Sequence, residues 1–138
     1  TSSLELRATY TLLDMVISKD TTSLQGKTPV WVPDQTASLW ADYRLEQGPA
    51  AGLRLGTGLR YVGEAQLDAA NSDKVPDYVL MDMAASYDLA RLSHSLKGVE
   101  ASVSASNLFD TTYYSCYDQS NCWFGAERNV EARLKYVF

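Results

Sequence analysis

The chain has 138 residues, a net charge of −5, 46% hydrophobic side chains and 21% charged ones, which fits one ordered domain and not a disordered segment. The acidic balance excludes a nucleic-acid partner, because phosphate binding needs a basic face. No apolar run reaches the roughly 18 residues of a transmembrane helix, although a barrel wall is still allowed, since it spends only every second residue on lipid.

Taken in chain order, six segments alternate with period two, the pattern of strands with one apolar and one polar face. Thr1 opens inside a strand-like pattern with no signal peptide before it, as expected of a mature or excised segment. In the first segment Leu4, Leu6, Ala8, Tyr10 and Leu12 oppose Glu5, Arg7, Thr9 and Thr11. The second sets Ala37, Leu39, Ala41 and Tyr43 against Ser38, Trp40, Asp42 and Arg44. The third sets Leu53, Leu55, Leu59 and Tyr61 against Arg54, Gly56, Gly58 and Arg60. The fourth runs from Val79 to Asp88 with Met81, Met83, Ala85 and Tyr87 on its apolar side, and the fifth from Val99 to Ser106. The sixth places Val130, Ala132, Leu134, Tyr136 and Phe138 opposite Asn129, Glu131, Arg133 and Lys135. Strands of about 9–11 residues suit a tilted bilayer crossing better than a globular sheet.

The connections alternate as well. Gln47–Gly52 and Arg91–Gly98 are short turns, whereas the stretches near 18–35, 62–77 and 108–127 are long and polar. Short turns at one end and long loops at the other is the arrangement of outer-membrane barrels, with the turns and the C-terminus periplasmic. Tyr10, Tyr43, Tyr61, Tyr87 and Tyr136 sit on the apolar parity near strand ends, where an interfacial girdle needs amphipathic rings. The opposite parity carries a dozen charges, too many for a small dry interior. Six strands cannot enclose a wet lumen, and their open edges are not viable in lipid. The expected fold is therefore all-β: about six meandering antiparallel strands of a larger transmembrane barrel, with negligible helix.

Cys116 and Cys122 lie six positions apart in a polar stretch. A zinc site would want more ligands, and the single His94 is distant in sequence, so a disulfide in an oxidising compartment is the leading expectation and two free thiols the alternative. Asn107 and Asp110 read as local backbone caps where a strand gives way to a loop. Gly56 and Gly58 are expected to admit another element close to the polar face, and Glu127 with Arg128 to join a wall charge network. No paired-His metal motif, nucleophile elbow or phosphate loop occurs, so neither catalytic residues nor a protein-bound metal is expected.

The motifs themselves carry a resemblance. V-P-D-Q-T-A-S-L-W-A-D-Y at 32–43, G-L-R-L-G-T-G-L-R-Y-V-G at 52–63, N-L-F-D at 107–110 and the terminal Tyr136-Val137-Phe138 resemble the C-terminal barrel of TonB-dependent outer-membrane siderophore receptors. The S-C-x5-C-W-F-G-A-E-R stretch at 115–128 narrows the likeness towards the ferrichrome, or hydroxamate, type. That resemblance covers nearly the whole chain and is weakest over its first thirty residues. It implies that residues 1–138 are part of a 22-stranded barrel plugged by an N-terminal domain, with the plug and earlier strands absent from this stretch. It further implies a ferric siderophore as transported ligand with no cofactor, energy supplied through TonB, lipid around the wall, and recognition by the barrel assembly machinery. Leu134, Tyr136 and Phe138 would form the assembly signal, while Tyr117, Trp123 and Phe124 would face a compact, nearly neutral chelate from an aromatic-lined mouth. Trp31 and Trp40 are further candidates, Trp40 more for packing against a plug. Two other classes compete: a passive porin, which the sequence upstream would reveal, and a soluble lipocalin-like barrel, which would dissolve without detergent.

Overall fold

A computed structural model describes residues 3–138; Thr1, whose strand-like setting was expected, lies outside the described residues. Six long strands form one antiparallel sheet. They are β1 (Leu4–Leu12), β2 (Gln35–Arg44), β3 (Arg54–Val62), β6 (Tyr78–Asp88), β7 (Val99–Ser106) and β10 (Asn129–Tyr136). Neighbours in the sheet are consecutive among these six, so the sheet is a meander. Two small hairpins sit within the long connections: β4 (Ala65–Gln66) with β5 (Lys74–Val75), and β8 (Tyr114–Asp118) with β9 (Asn121–Phe124). These hairpins are additional to the six strands that the alternation predicts. The helical content among the described residues is two single 3₁₀ turns, Leu89–Arg91 and His94–Leu96, in the second short connection.

The register carries the alternation across the whole sheet. Directly opposed residues share a face in an antiparallel pair, so Ala8, Leu39, Leu59 and Met81 line up on one side. Ala41, Thr57, Met83, Ala105 and Val130 form the adjacent row of that side. On the other side Arg7, Trp40, Gly58 and Asp82 align, as do Ala84, Ser104 and Glu131. A slip of one residue in any pair would have mixed the faces; none occurs.

Burial is inverted relative to a soluble domain. Leu6 is 62% exposed, Leu134 74% and Tyr10 63%, all on the apolar face. The buried hydrophobic residues among those described are Val75, Leu80 and Cys116. Leu80 opposes Arg60 and so belongs to the polar face, where the long connections fold over it. An apolar face left open is stable only against lipid or another apolar surface, and the outer edges of β1 and β10 require pairing strands in such a medium.

The tyrosines fall into two bands on that open face. Tyr10 and Tyr61 share one row with Ala37 and Val79 towards the long-connection end. Tyr43, Tyr87 and Tyr136 lie towards the short turns. Phe138 follows the last strand, fully exposed, with its ring 6.1 Å from that of Tyr136.

Two expectations about the polar face are corrected. The glycines at 56 and 58 were expected to admit another element, such as a plug, and what comes close is not a plug but the Trp40 indole of the neighbouring strand, which lies over both; a Cβ at either would collide with it. The indole is pinned by donating its Nε1–H to Asp42 Oδ2 at 2.7 Å. Nor do Glu127 and Arg128 join an ion-pair network among the described residues. Instead, the Arg128 backbone N–H donates to Asp110 Oδ1 at 2.8 Å and its guanidinium reaches the Leu108 carbonyl. The wall ion pairs among the described residues are Glu5–Arg7 at 2.7 Å, Arg7–Asp42 at 3.6 Å, Arg60–Asp82 at 3.0 Å and Glu131–Arg133 at 2.7 Å.

Candidate functional site

The three long connections, 13–34, 63–77 and 107–128, close over one end of the polar face and are tied to each other there. Between the first and second, the Thr28 N–H donates to Asn71 Oδ1 and the Asn71 amide donates back to the Thr28 carbonyl, each at 2.8 Å. Val30 and Gln66 add a parallel bridge beside them. Between the first and third, the Trp31 ring sits 5.8 Å from that of Tyr117 and 6.4 Å from that of Trp123. Trp31 has a φ of 64°, a conformation a bulky residue rarely adopts. Aromatic packing of this kind is what offsets such strain and fixes the ring at the junction.

The third connection is built on the N-L-F-D motif. Asn107, 3% exposed, accepts the Thr111 N–H at 2.8 Å and donates to the carbonyls of Thr111 and Ala126 at 2.9 and 3.1 Å. Its own N–H donates to Asp82 Oδ1 at 3.0 Å, which joins the knot to the wall ion pair with Arg60. Asn107 and Asp110 both adopt positive φ, 49° and 56°, which asparagine and aspartate tolerate better than other side chains. These two residues therefore serve as the structural caps that their positions suggested. Above the knot, Tyr113 stacks on Tyr78 at 4.4 Å, lies over Gly125, and accepts the Ala126 N–H at its hydroxyl.

Cys116 and Cys122 oppose each other across β8 and β9 and are joined by a disulfide. At the tip, Asp118 accepts from the Asn121 side-chain amide and from the Ser120 and Asn121 N–H groups. These bonds, the Asn121 amide first, hold the Asp118 carboxyl below its ordinary value. In the second connection Glu64 accepts from Lys74 at 2.6 Å and raises that ammonium above its ordinary value.

Where the three connections meet lies a cavity of about 400 Å³. Its walls include Trp31, Pro33, Val75, Tyr78, Tyr114 and Trp123, with the disulfide-bonded Cys116 among them, and none of its lining residues is charged. Such a chamber suits an apolar or weakly polar guest, held by ring faces and oriented by a few hydroxyl and amide groups. Among the described residues no cluster of His, Cys, Asp and Glu could hold a metal ion.

The three aromatic candidates separate here. Trp123 lines the cavity, and Tyr117 is one ring away from it, against Trp31. Phe124 is not among the cavity's lining residues; it opposes Tyr114 across the hairpin, with its ring 6.3 Å from that one and 79% exposed. Tyr78 was missed as a lining residue. Trp31 and Trp123 are 92 positions apart in sequence, and only the folded loops bring them together.

Comparison with known proteins adds the family. The sequence model described as "TonB dependent receptor-like, beta-barrel" matches residues 2–108. The ferrichrome outer membrane transporter/phage receptor of Escherichia coli K12 is 43% identical over 99% of this chain and 18% of its own length. The ferrioxamine B receptor of Salmonella typhimurium is 37% identical over 99% of this chain and 19% of its own. The crystal structure of the siderophore receptor PiuA from Acinetobacter baumannii superposes with a TM-score of 0.76 at 26% identity, over 99% of this chain and 20% of that one. The chain thus spans about a fifth of the length of the curated relatives it matches.

Proposed function

This chain belongs to the TonB-dependent receptor-like β-barrel family, and we propose that it is a wall segment of an outer-membrane receptor for ferric siderophores of the hydroxamate class. On this reading residues 1–138 form the C-terminal part of a 22-stranded barrel, while a plug and the earlier strands belong to the rest of the receptor. The apolar face meets lipid, the long connections face the outside, and the C-terminus lies in the periplasm. Transport is driven through TonB, which acts on the part of the receptor outside this segment. Leu134, Tyr136 and Phe138 present the assembly signal to the barrel assembly machinery.

The observation that carries this reading is the charge-free aromatic cavity at the junction of the three long connections. A ferric hydroxamate arrives with its iron already enclosed, so the protein need supply no ligand to the metal, only complementary rings and a few hydrogen bonds. Trp123, with Tyr117 behind Trp31, is the proposed contact; the disulfide keeps the hairpin that bears both in place, which favours binding by preorganisation. Phe124, outside the cavity lining, is proposed to support the hairpin through Tyr114.

The experiment is calorimetric titration of the complete receptor with a ferric trihydroxamate, paired with iron uptake in cells with and without TonB. Trp123→Ala should weaken binding about tenfold or more, the loss of one buried aromatic anchor, with the barrel still inserted. Uptake should cease without TonB. Unchanged affinity in the variant would overturn the assigned site, and TonB-independent uptake would mark a passive pore.

A further inference from the structure

The first long connection leaves an open edge where it rises from the sheet. Residues 12–17 read Leu-Leu-Asp-Met-Val-Ile, five apolar side chains to one charged. On its inner side this stretch is bonded to the chain returning towards β2. The Leu13 N–H donates to the Asp34 carbonyl at 2.8 Å, and the Ile17 N–H to the Lys27 carbonyl at 2.9 Å. Bonds four residues apart on one side are two full periods of an extended chain, which places the N–H groups of Asp14 and Val16 on the other side. Neither donates a backbone hydrogen bond among the described residues.

The lipid that meets the wall does not reach this edge. Tyr10 belongs to the tyrosine band at this end of the open face, and Leu13 lies three residues past it, roughly 10 Å further out at the rise of a strand. Leu13 and Met15 are nevertheless each 41% exposed, and Val16 is 53% exposed. An apolar, unpaired edge in water recruits other chains unless the protein itself covers it.

Topology identifies the cover. β1 begins at the short-turn end, where Leu4 opposes Tyr43, and its outer edge requires a pairing strand in lipid. In a meander that strand precedes β1 and joins it through a short turn. Its far end then rises beside residues 13–17 into a long connection of its own. This segment is 18% and 19% of the length of the ferrichrome and ferrioxamine B receptors, so most of such a receptor lies outside it.

We infer that the strand preceding β1 continues past the membrane and pairs with the edge at 13–17, so that its long connection becomes the fourth of the group over the polar face. The inference rests on the proposed reading of this chain as a barrel segment and adds a contact surface to it. The pairing also braces the arm that carries Trp31, because Ile17 is bonded to Lys27 and Thr28 to Asn71, just ahead of that ring.

The test replaces Met15 or Val16 of the complete, membrane-inserted receptor by photoreactive benzoylphenylalanine and maps the cross-linked residue by mass spectrometry. Both positions should join to the preceding strand's outer end or its long connection, within the same molecule. On the unmodified receptor, the Asp14 and Val16 amides should exchange hydrogen about tenfold or more slowly than that of Ser23 in the nearby turn, after correction for intrinsic rates. Cross-links to lipid, to a second copy or to residues 1–138 alone, no cross-link at all, or amides that exchange as fast as Ser23, would overturn the edge inference. If the receptor still inserts and binds a ferric trihydroxamate, the receptor reading stands. If it does neither, both fall.

Discussion

The wall and its loop cap are stabilised by opposite arrangements of the same residue types. In the wall, leucines, valines and methionines face outward and the charges inward, so its apolar face has no protein to cover it. At the cap, Val75 and Cys116 of the connections and Leu80 of the wall beneath them are buried, as in a small soluble domain. The wall depends on its surroundings and on backbone pairing, because every strand inside the sheet is hydrogen-bonded on both sides. The cap depends on specific long-range contacts: one asparagine pair, one aromatic triad, one buried asparagine and one disulfide. A change of polarity should therefore injure the wall, and a change of shape should injure the cap.

The largest effect is expected where this contrast is sharpest. Met83 lies in the middle of β6, on the apolar face, opposite Thr57 and Ala105. Met83→Arg should destabilise the inserted barrel by about 2–4 kcal/mol, the cost of a cation near the bilayer midplane. Ser104→Arg, on the other face and opposite Glu131, should cost far less in the same unfolding titration. Equal penalties would erase the distinction between the faces.

Next comes the knot at the base of the third connection. Asn107→Ala removes a buried amide that bonds groups on both limbs of the loop, Thr111 and Ala126, at about 1–3 kcal/mol. The loss should appear as faster hydrogen exchange across 107–128 with little change in the strands. Replacing Cys116 and Cys122 by serine should act on the same region. The ring it opens is short, so the chain-entropy model gives about 2–3 kcal/mol. Insertion should persist while ligand affinity falls.

The smallest effect is the response to acid at the hairpin tip. Because the folded state lowers the Asp118 carboxyl, its contribution is present above the ordinary carboxylate value and is lost as the pH falls through the lower, folded one. Exchange protection of 118–121 should hold from neutral pH down to that range and drop only below it. Asp118→Ala should remove the dependence.

The wall was legible in the sequence and the cap was not, for the same physical reason. A pleated strand fixes every side chain by parity alone, so Leu55, Leu59, Met81, Met83, Val103 and Leu134 could be assigned to one face without knowing their neighbours. Only the ends moved: the second strand begins at Gln35 instead of Ala37, and the last stops at Tyr136. The cap has no such period. The register shift between Cys116 and Asp118 breaks the alternation of β8, and β4 and β5 are two residues long. Trp40 over Gly56 and Gly58 needs the β2–β3 register, which no local pattern encodes.

Nitroxide labels at single introduced cysteines along β3 and β6 test the central claim, that one face of this sheet meets lipid and the other a wet interior. In the complete, inserted receptor, labels at 55, 57, 59, 81 and 83 should collide readily with oxygen and weakly with a water-soluble nickel chelate. Labels at 54, 60, 82 and 84 should show the reverse, giving an alternation of period two along each strand. A flat profile, or greater nickel-chelate accessibility at 55, 59, 81 and 83 than at 54, 60 and 82, would contradict the account.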